Sequence, residues 1–309
     1  MPCCGWRGWA AAPWRWCWPA RWALAACCSA RPGRPCSGCW RRKKGRGKVS
    51  RHQAFGGRTM LHRAVLAVCV LWSLAGLGQA QEAAAGTAGE WVTLTTAYGT
   101  HFDAYAAGPE DAAVGVLLLH DRLGFNRELI TWADRLAAQG YRALAIDLYD
   151  GRRARSWQHA TSIMNAIDHV WAESDIAAAI KALQAPGRKL ALLGWDWGAE
   201  QALTATLADS AAVAAAVLYY PTAVETDINK VQGLATPVLL LVAEQDPRLS
   251  VSAVTAFRDG LTKTRVEFTI MGLDADRGFA NALSPHYDDN AAAVAWETAQ
   301  DFLTTYLSP

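Results

Sequence analysis

From residue 90 onward the chain predicts an α/β fold with a mostly parallel sheet covered by helices on both faces. Short apolar β-type runs alternate there with longer helical patterns, which is the rhythm of strand, crossover helix, strand. The middle runs are apolar at every position, as in VGVLLL at 114–119. A strand needs that only when both of its faces are buried. The stretch of about 220 residues is also the size of one such domain.

In order, residues 91–95 and 102–106 alternate and read as half-buried opening strands, and 114–119 as the central strand. Residues 128–139 form a helical pattern closed by Gly140, and 141–146 supply the next strand. Residues 171–184 are amphipathic at helical spacing and stop at Pro186-Gly187. Later strands are expected at 189–193, 214–219, 237–242 and 266–271. Later helices are expected at 254–261 and 291–307, the last entered through Asp288 or Asp289 as N-cap.

Charge and cysteine divide the chain. Fourteen of the 30 Lys and Arg residues and none of the 28 Asp and Glu residues precede Gln81. The formal net charge of +2 therefore averages a basic leader and an acidic remainder, and nucleic-acid binding is not implied. All 8 cysteines belong to the leader, the last being Cys69, and the Cys36-Cys39 pair lacks the second ligand pair zinc requires. Residues 1–59, rich in Trp and Arg without periodicity, read as an upstream extension that is non-native or disordered. Residues 60–80 have the form of an export signal peptide: a short basic start at Met60, an apolar run over 64–77, and Gly78-Gln79-Ala80 before Gln81. The run is short for a membrane span of about twenty residues, so export with cleavage and no membrane attachment afterwards is expected. Residues 81–89 read as a flexible tail and 90–309 as one domain.

The most informative segment is Leu193-Gly194-Trp195-Asp196-Trp197-Gly198-Ala199, where an apolar strand runs through G-x-D-x-G into a helix. This is the form of a nucleophile elbow. Its glycines serve a turn so sharp that neighbouring side chains would collide. The central side chain is placed beside a helix N-terminus, which favours negative charge.

Four further segments fall in register with one family. Leu119-His120-Asp121-Arg122-Leu123-Gly124, Ile146-Asp147-Leu148-Tyr149-Asp150-Gly151-Arg152, Ala243-Glu244-Gln245-Asp246-Pro247 and Asp276-Arg277-Gly278-Phe279-Ala280-Asn281 are followed by a closing helix with Ala295-Trp296. Together with the elbow, they resemble the dienelactone hydrolase family. The resemblance implies an α/β-hydrolase fold, hydrolysis of small esters or lactones, and a triad of nucleophile, acid and His. It places the nucleophile at Asp196, the acid at Asp246 and the His at Arg277. It also implies an oxyanion hole built from the backbone N–H groups of Arg122 and Trp197, and a second acid at Asp121. The family's carboxylate-binding Arg falls at Asn281, which argues against dienelactone itself as substrate.

An Arg does not act as a general base near neutral pH, since its pKa lies above about 12. Two readings follow. In one, Asp196 attacks carbon and a His activates water, for which His120 and His286 are the candidates by position. In the other, Asp196 and Arg277 form a neutralising ion pair with Asp246 as second acceptor, and the pocket binds a ligand or partner without standard turnover. The ligand class is a small ester, lactone or other apolar or anionic molecule. Arg152, Arg153 and Arg155 offer an anion contact or a solvated face, and Trp195 and Trp197 either line the pocket or pack between sheet and helix. No phosphate loop, dinucleotide fingerprint or metal cluster is present, so no cofactor and no metal is expected.

The leader reading makes a direct demand. Translation started at Met60 in a bacterial host is expected to yield a periplasmic protein whose N-terminus lies near Gln81. A soluble cytoplasmic product that keeps Met60 would refute it.

Overall fold

The computed structural model describes residues 89–308. The expected extension at 1–59, the leader at 60–80, the cysteines and most of the tail lie outside the described residues.

Eight strands form one sheet: β1 Glu90–Thr95, β2 His101–Ala107, β3 Val114–Leu119, β4 Arg142–Ile146, β5 Lys189–Trp195, β6 Ala215–Tyr219, β7 Val238–Ala243 and β8 Phe268–Leu273. Their order is β1-β2-β4-β3-β5-β6-β7-β8. Pairing is antiparallel from β1 to β2 and from β2 to β4, and parallel from β4 through β8. The helices are α1 Arg127–Ala137, α2 Trp157–Asn165, α3 His169–Leu183, α4 Trp197–Ala208, α5 Ile228–Val231, α6 Val251–Leu261 and α7 Asp289–Leu307.

Alternation along the strands feeds two cores. On β3, Val116 and Leu118 face one side with α1 and α7, through Leu129, Trp132, Leu136, Trp296 and Phe302. Leu117 and Leu119 face the other, against Ile176 and Leu183 of α3, Leu203 of α4 and Phe257 of α6. Covering both faces explains why the central strands are apolar throughout.

The sequence reading places every strand within about two residues and misses α2 and α5. Helix α2 buries only Ala160 and Ile163, too little apolar periodicity to read. Its start is fixed by Ser156, whose hydroxyl accepts from the His159 N–H at 3.1 Å. The last helix begins as expected, with the Asp288 side chain accepting from the Ala291 N–H at 2.9 Å. No helix among the described residues is long and apolar enough to cross a membrane.

The strand order decides where a site can form. From β3 the chain moves to β4 on one side, then returns to β5 on the other. Crevices outside the carboxyl ends of strands at such a reversal are where α/β sheets bind ligands. Because Leu119 pairs with Gly194, the segments after β3 and β5, carrying Arg122 and Asp196, emerge side by side there.

Candidate active site

Asp196 alone separates β5 from α4 and adopts φ 53° and ψ −116°. Such a conformation costs a non-glycine residue about 1–3 kcal/mol. Its neighbours hold it in place. The Asp196 N–H donates to Tyr219 O at 2.9 Å, and its carbonyl accepts from Ala199 at 3.1 Å and Glu200 at 3.3 Å. A Cβ on Gly198 would be driven into the carbonyl oxygens of Leu119 and His120, and one on Gly194 into Gly198 itself. The G-x-D-x-G pattern is thus required by close backbone approach.

The Asp196 carboxylate is buried, 1% exposed. The Arg122 Nε donates to its Oδ2 and the Arg122 Nη2 to its Oδ1 at 2.7 Å. The Arg122 backbone N–H adds a long bond to Oδ2 at 3.4 Å. From the loop after β8, Arg277 Nη1 reaches Oδ1 at 3.4 Å, and its Nε lies 3.8 Å from Asp246 Oδ2. Asp246 is otherwise fixed by the Arg248 N–H at 3.1 Å.

This corrects the expected pairing. Arg277 does meet Asp196, with Asp246 beside it, but the principal counter-charge is the Arg122 guanidinium, of which only the backbone was expected to contribute. Adjacency of β3 and β5 brings Arg122 up as a two-pronged fork, while Arg277 touches one oxygen. The Arg122 N–H leans on the Asp196 carboxylate, and Trp197 opens α4 immediately after the elbow. Burial works against the Arg122 charge, but its bond to Asp196 prevails and holds its pKa above the ordinary arginine value.

The two His candidates part company. His120 is fully enclosed; its Nδ1 lies 2.7 Å from Asp121 O, and its Nε2 accepts from the Leu148 N–H at 3.1 Å. Both nitrogens are occupied by backbone, and burial lowers its pKa. His120 is therefore a neutral structural residue that ties β3 to the segment after β4, with no nitrogen free to activate water. His286 is half exposed, and its Nδ1 stands 3.0 Å from Asp276 Oδ2.

Asp121 accepts from the Asn281 side chain at 2.6 Å and from the Leu123 N–H at 2.8 Å. Burial pushes its carboxyl from 3.8 up to about 6, with Asp196 adding repulsion against the hydrogen bond from Asn281. Asn281 thus serves Asp121. Tyr220, not anticipated, carries φ 38°. Burial and the carboxylates of Asp121 and Asp196 hold its phenol well above its ordinary pKa.

Trp195 and Trp197 pack on opposite faces of the sheet. Trp195 stacks on Tyr219 at 5.2 Å beside Trp132, and Trp197 stacks on Tyr149 at 5.7 Å. Of the three exposed arginines, Arg153 pairs with Asp147 at 2.7 Å and Arg152 Nε donates to Tyr149 O at 2.9 Å.

Over the buried charges opens a pocket of 420 Å³ lined by Arg122, Trp157, Asp246, Arg248, Arg277 and His286 among others. Trp157, the first residue of α2, lies over both guanidiniums, 5.9 Å from Arg122 and 5.5 Å from Arg277. Cation–π contact of this kind helps hold guanidiniums away from water.

The dienelactone hydrolase family model matches residues 102–307. The chain belongs to this family. A carboxymethylenebutenolidase of Pseudomonas putida is 27% identical over 230 residues, covering 69% of this chain and 95% of that protein. Among solved structures, a dienelactone hydrolase-like promiscuous phosphotriesterase from metagenomic libraries aligns with TM-score 0.61 at 21% identity, over 71% of this chain and 99% of that one. Dienelactone hydrolase from Anabaena variabilis aligns with TM-score 0.52 at 17% identity, over 71% and 97%. The strand order and elbow are thus those of an α/β-hydrolase, and the family supports a hydrolase-type function.

Asp121 gives a pH test. Its folded pKa is raised, so between its ordinary value and about 6 the folded state binds more protons than the unfolded one, and stability falls as pH rises. Over roughly pH 4 to 7 this group is expected to remove up to about 3 kcal/mol. In urea melts the Asp121→Asn variant should lose that part of the decline; an unchanged pH slope would refute the assignment.

Proposed function

We propose that this chain is a member of the dienelactone hydrolase family that binds a small ester, lactone or related anionic or apolar molecule without the family's covalent enzyme intermediate. One observation carries the reading: Asp196 is gripped at both oxygens by Arg122. Attack on carbon needs a carboxylate lone pair directed at the substrate, and esterifying Asp196 would remove the charge that balances two buried guanidiniums. No His stands where the triad base would be. The reading with Asp196 as nucleophile therefore has to break the fork first. We further propose, from the leader pattern, that the domain acts outside the cytoplasm.

The test has two arms. Incubation of the protein with p-nitrophenyl esters and short haloalkanes, followed by intact mass, is expected to leave the mass unchanged; an adduct mapped to Asp196 would overturn the reading. Second, Asp196→Ala and Arg122→Met should each destabilise by about 3–5 kcal/mol, because each strands a buried charge. The double variant is expected to recover about 1–3 kcal/mol of that sum. The Asp196–Arg277 cycle should give a smaller coupling, in keeping with its single long bond. Denaturant melts measure both, and additivity within about 0.5 kcal/mol for Asp196 and Arg122 would show that they do not interact.

A further inference from the structure

A second cavity lies between α3 and α4, which cover the same face of the sheet. Its volume is 520 Å³, larger than the pocket over the buried charges, and the two share no lining residue. Volumes of about 300–1,000 Å³ are those of small-molecule sites. From α3 it takes Ile176, Ala177 and Ile180, and from α4 Gln201, Ala205 and Ala208. Spacings of three and four residues put each set on one stripe of its helix. Ile176 and Ile180 belong to the apolar core beneath. Where larger side chains would interlock the two helices, the alanines leave a groove.

Gln201 distinguishes this groove from a packing defect. It is 8% exposed, and its side-chain amide has no hydrogen-bond partner among the described residues. The polar side chains next to it on α4 are all satisfied. Glu200 accepts from the Thr222 N–H at 3.0 Å, Thr204 donates to Glu200 O at 2.9 Å and Thr206 to Ala202 O at 2.7 Å. A primary amide offers N–H donors and a carbonyl acceptor, and buried groups of this kind are paired in the great majority of cases. The surface left to Gln201 lines the groove, so its missing partner enters from there. The charged residues of the wall, Glu173, Lys181 and Asp209, are exposed and of mixed sign. An anion would meet two carboxylates there and a cation the ammonium, so the groove favours a neutral occupant.

We propose that the groove between α3 and α4 is a second binding site, for a small neutral molecule with an apolar body and a single carbonyl or hydroxyl head. The head bonds to the Gln201 amide and the body lies along Ile176, Ile180 and Ala205. One polar group deep in an otherwise apolar groove fixes the orientation of such a ligand. A docking helix from a partner fits less well, because the apolar stripe that enters a groove brings no polar atom to Gln201. The site uses none of the residues around Asp196 and stands whether or not the elbow is locked.

The test uses the full chain, Nile red as a neutral fluorescent probe with one carbonyl, and 2-nonanone as competitor. Nile red fluorescence is expected to saturate, and 2-nonanone to displace the dye. Gln201→Leu should weaken 2-nonanone about 5- to 10-fold, the loss of one hydrogen bond. Ala177→Glu, which sets a charge in the groove from an exposed position, should weaken it by about 10-fold or more. Ala182→Glu, exposed on the same helix but outside the groove, should stay within about twofold of the parent. Dye binding that does not saturate, dye that 2-nonanone does not displace, or a Gln201→Leu affinity within about twofold of the parent would overturn the site. Should Gln201→Leu fail to fold, the contrast between Ala177→Glu and Ala182→Glu decides, and equal affinities would overturn it.

Discussion

A carboxylate enclosed at the end of a strained strand-to-helix turn has to be neutralised, and the pair of Asp196 with Arg122 does this for the whole site. Taking either charge out of water costs several kcal/mol, which a single exposed contact would not return. The two-pronged fork does, because its donors and the carboxylate oxygens are planar and matched. The helix N-terminus behind Asp196 adds to the same balance. From there the charges alternate: Arg122, Asp196, Arg277, Asp246. Each ion has an opposite neighbour, so the four can be buried together where none could be buried alone.

Much of this is legible in sequence because it rests on local rules. Val114–Leu119 reads as a strand buried on both faces from its composition, and the elbow reads from two glycines whose absence of side chains the backbone contacts demand. What a sequence does not display is side-chain direction across the sheet. Arg122 belongs to the site by its N–H on either view, and nothing in a single sequence says that its guanidinium turns to Asp196 while Arg277 takes the edge. The signal available is the coincidence of two residue types, an acid at the elbow and an Arg in the loop after β3, which pair once β3 and β5 are neighbours.

The histidines show the same limit from the other side. His120 and His286 are equal candidates by chain position. The fold separates them because His120 lies at the tip of a central strand, where the Leu148 N–H and the Asp121 carbonyl both need a partner away from water. A buried backbone group without a partner is costly, so the imidazole is held by structure. His286 sits in a loop that closes on itself, and its neighbour across that loop, Asp276, is ten positions away in sequence, too far for any periodicity to relate them.

Asn281 and Asp121 extend the argument beyond the ion pairs. Where the family resemblance implies an Arg, this chain has a neutral amide that donates to Asp121 at 2.6 Å. An Arg there would add a third cation against Asp196 and Asp246, and Asp121 would then have to stay ionised to balance it. With Asn in place, Asp121 is free to sit near its titration point, raised by burial and by the Asp196 charge. The alternating quartet remains neutral whether Asp121 holds its proton or not. In this chain both cations of the site, Arg122 and Arg277, grip Asp196, and position 281 holds a neutral amide that serves Asp121 instead.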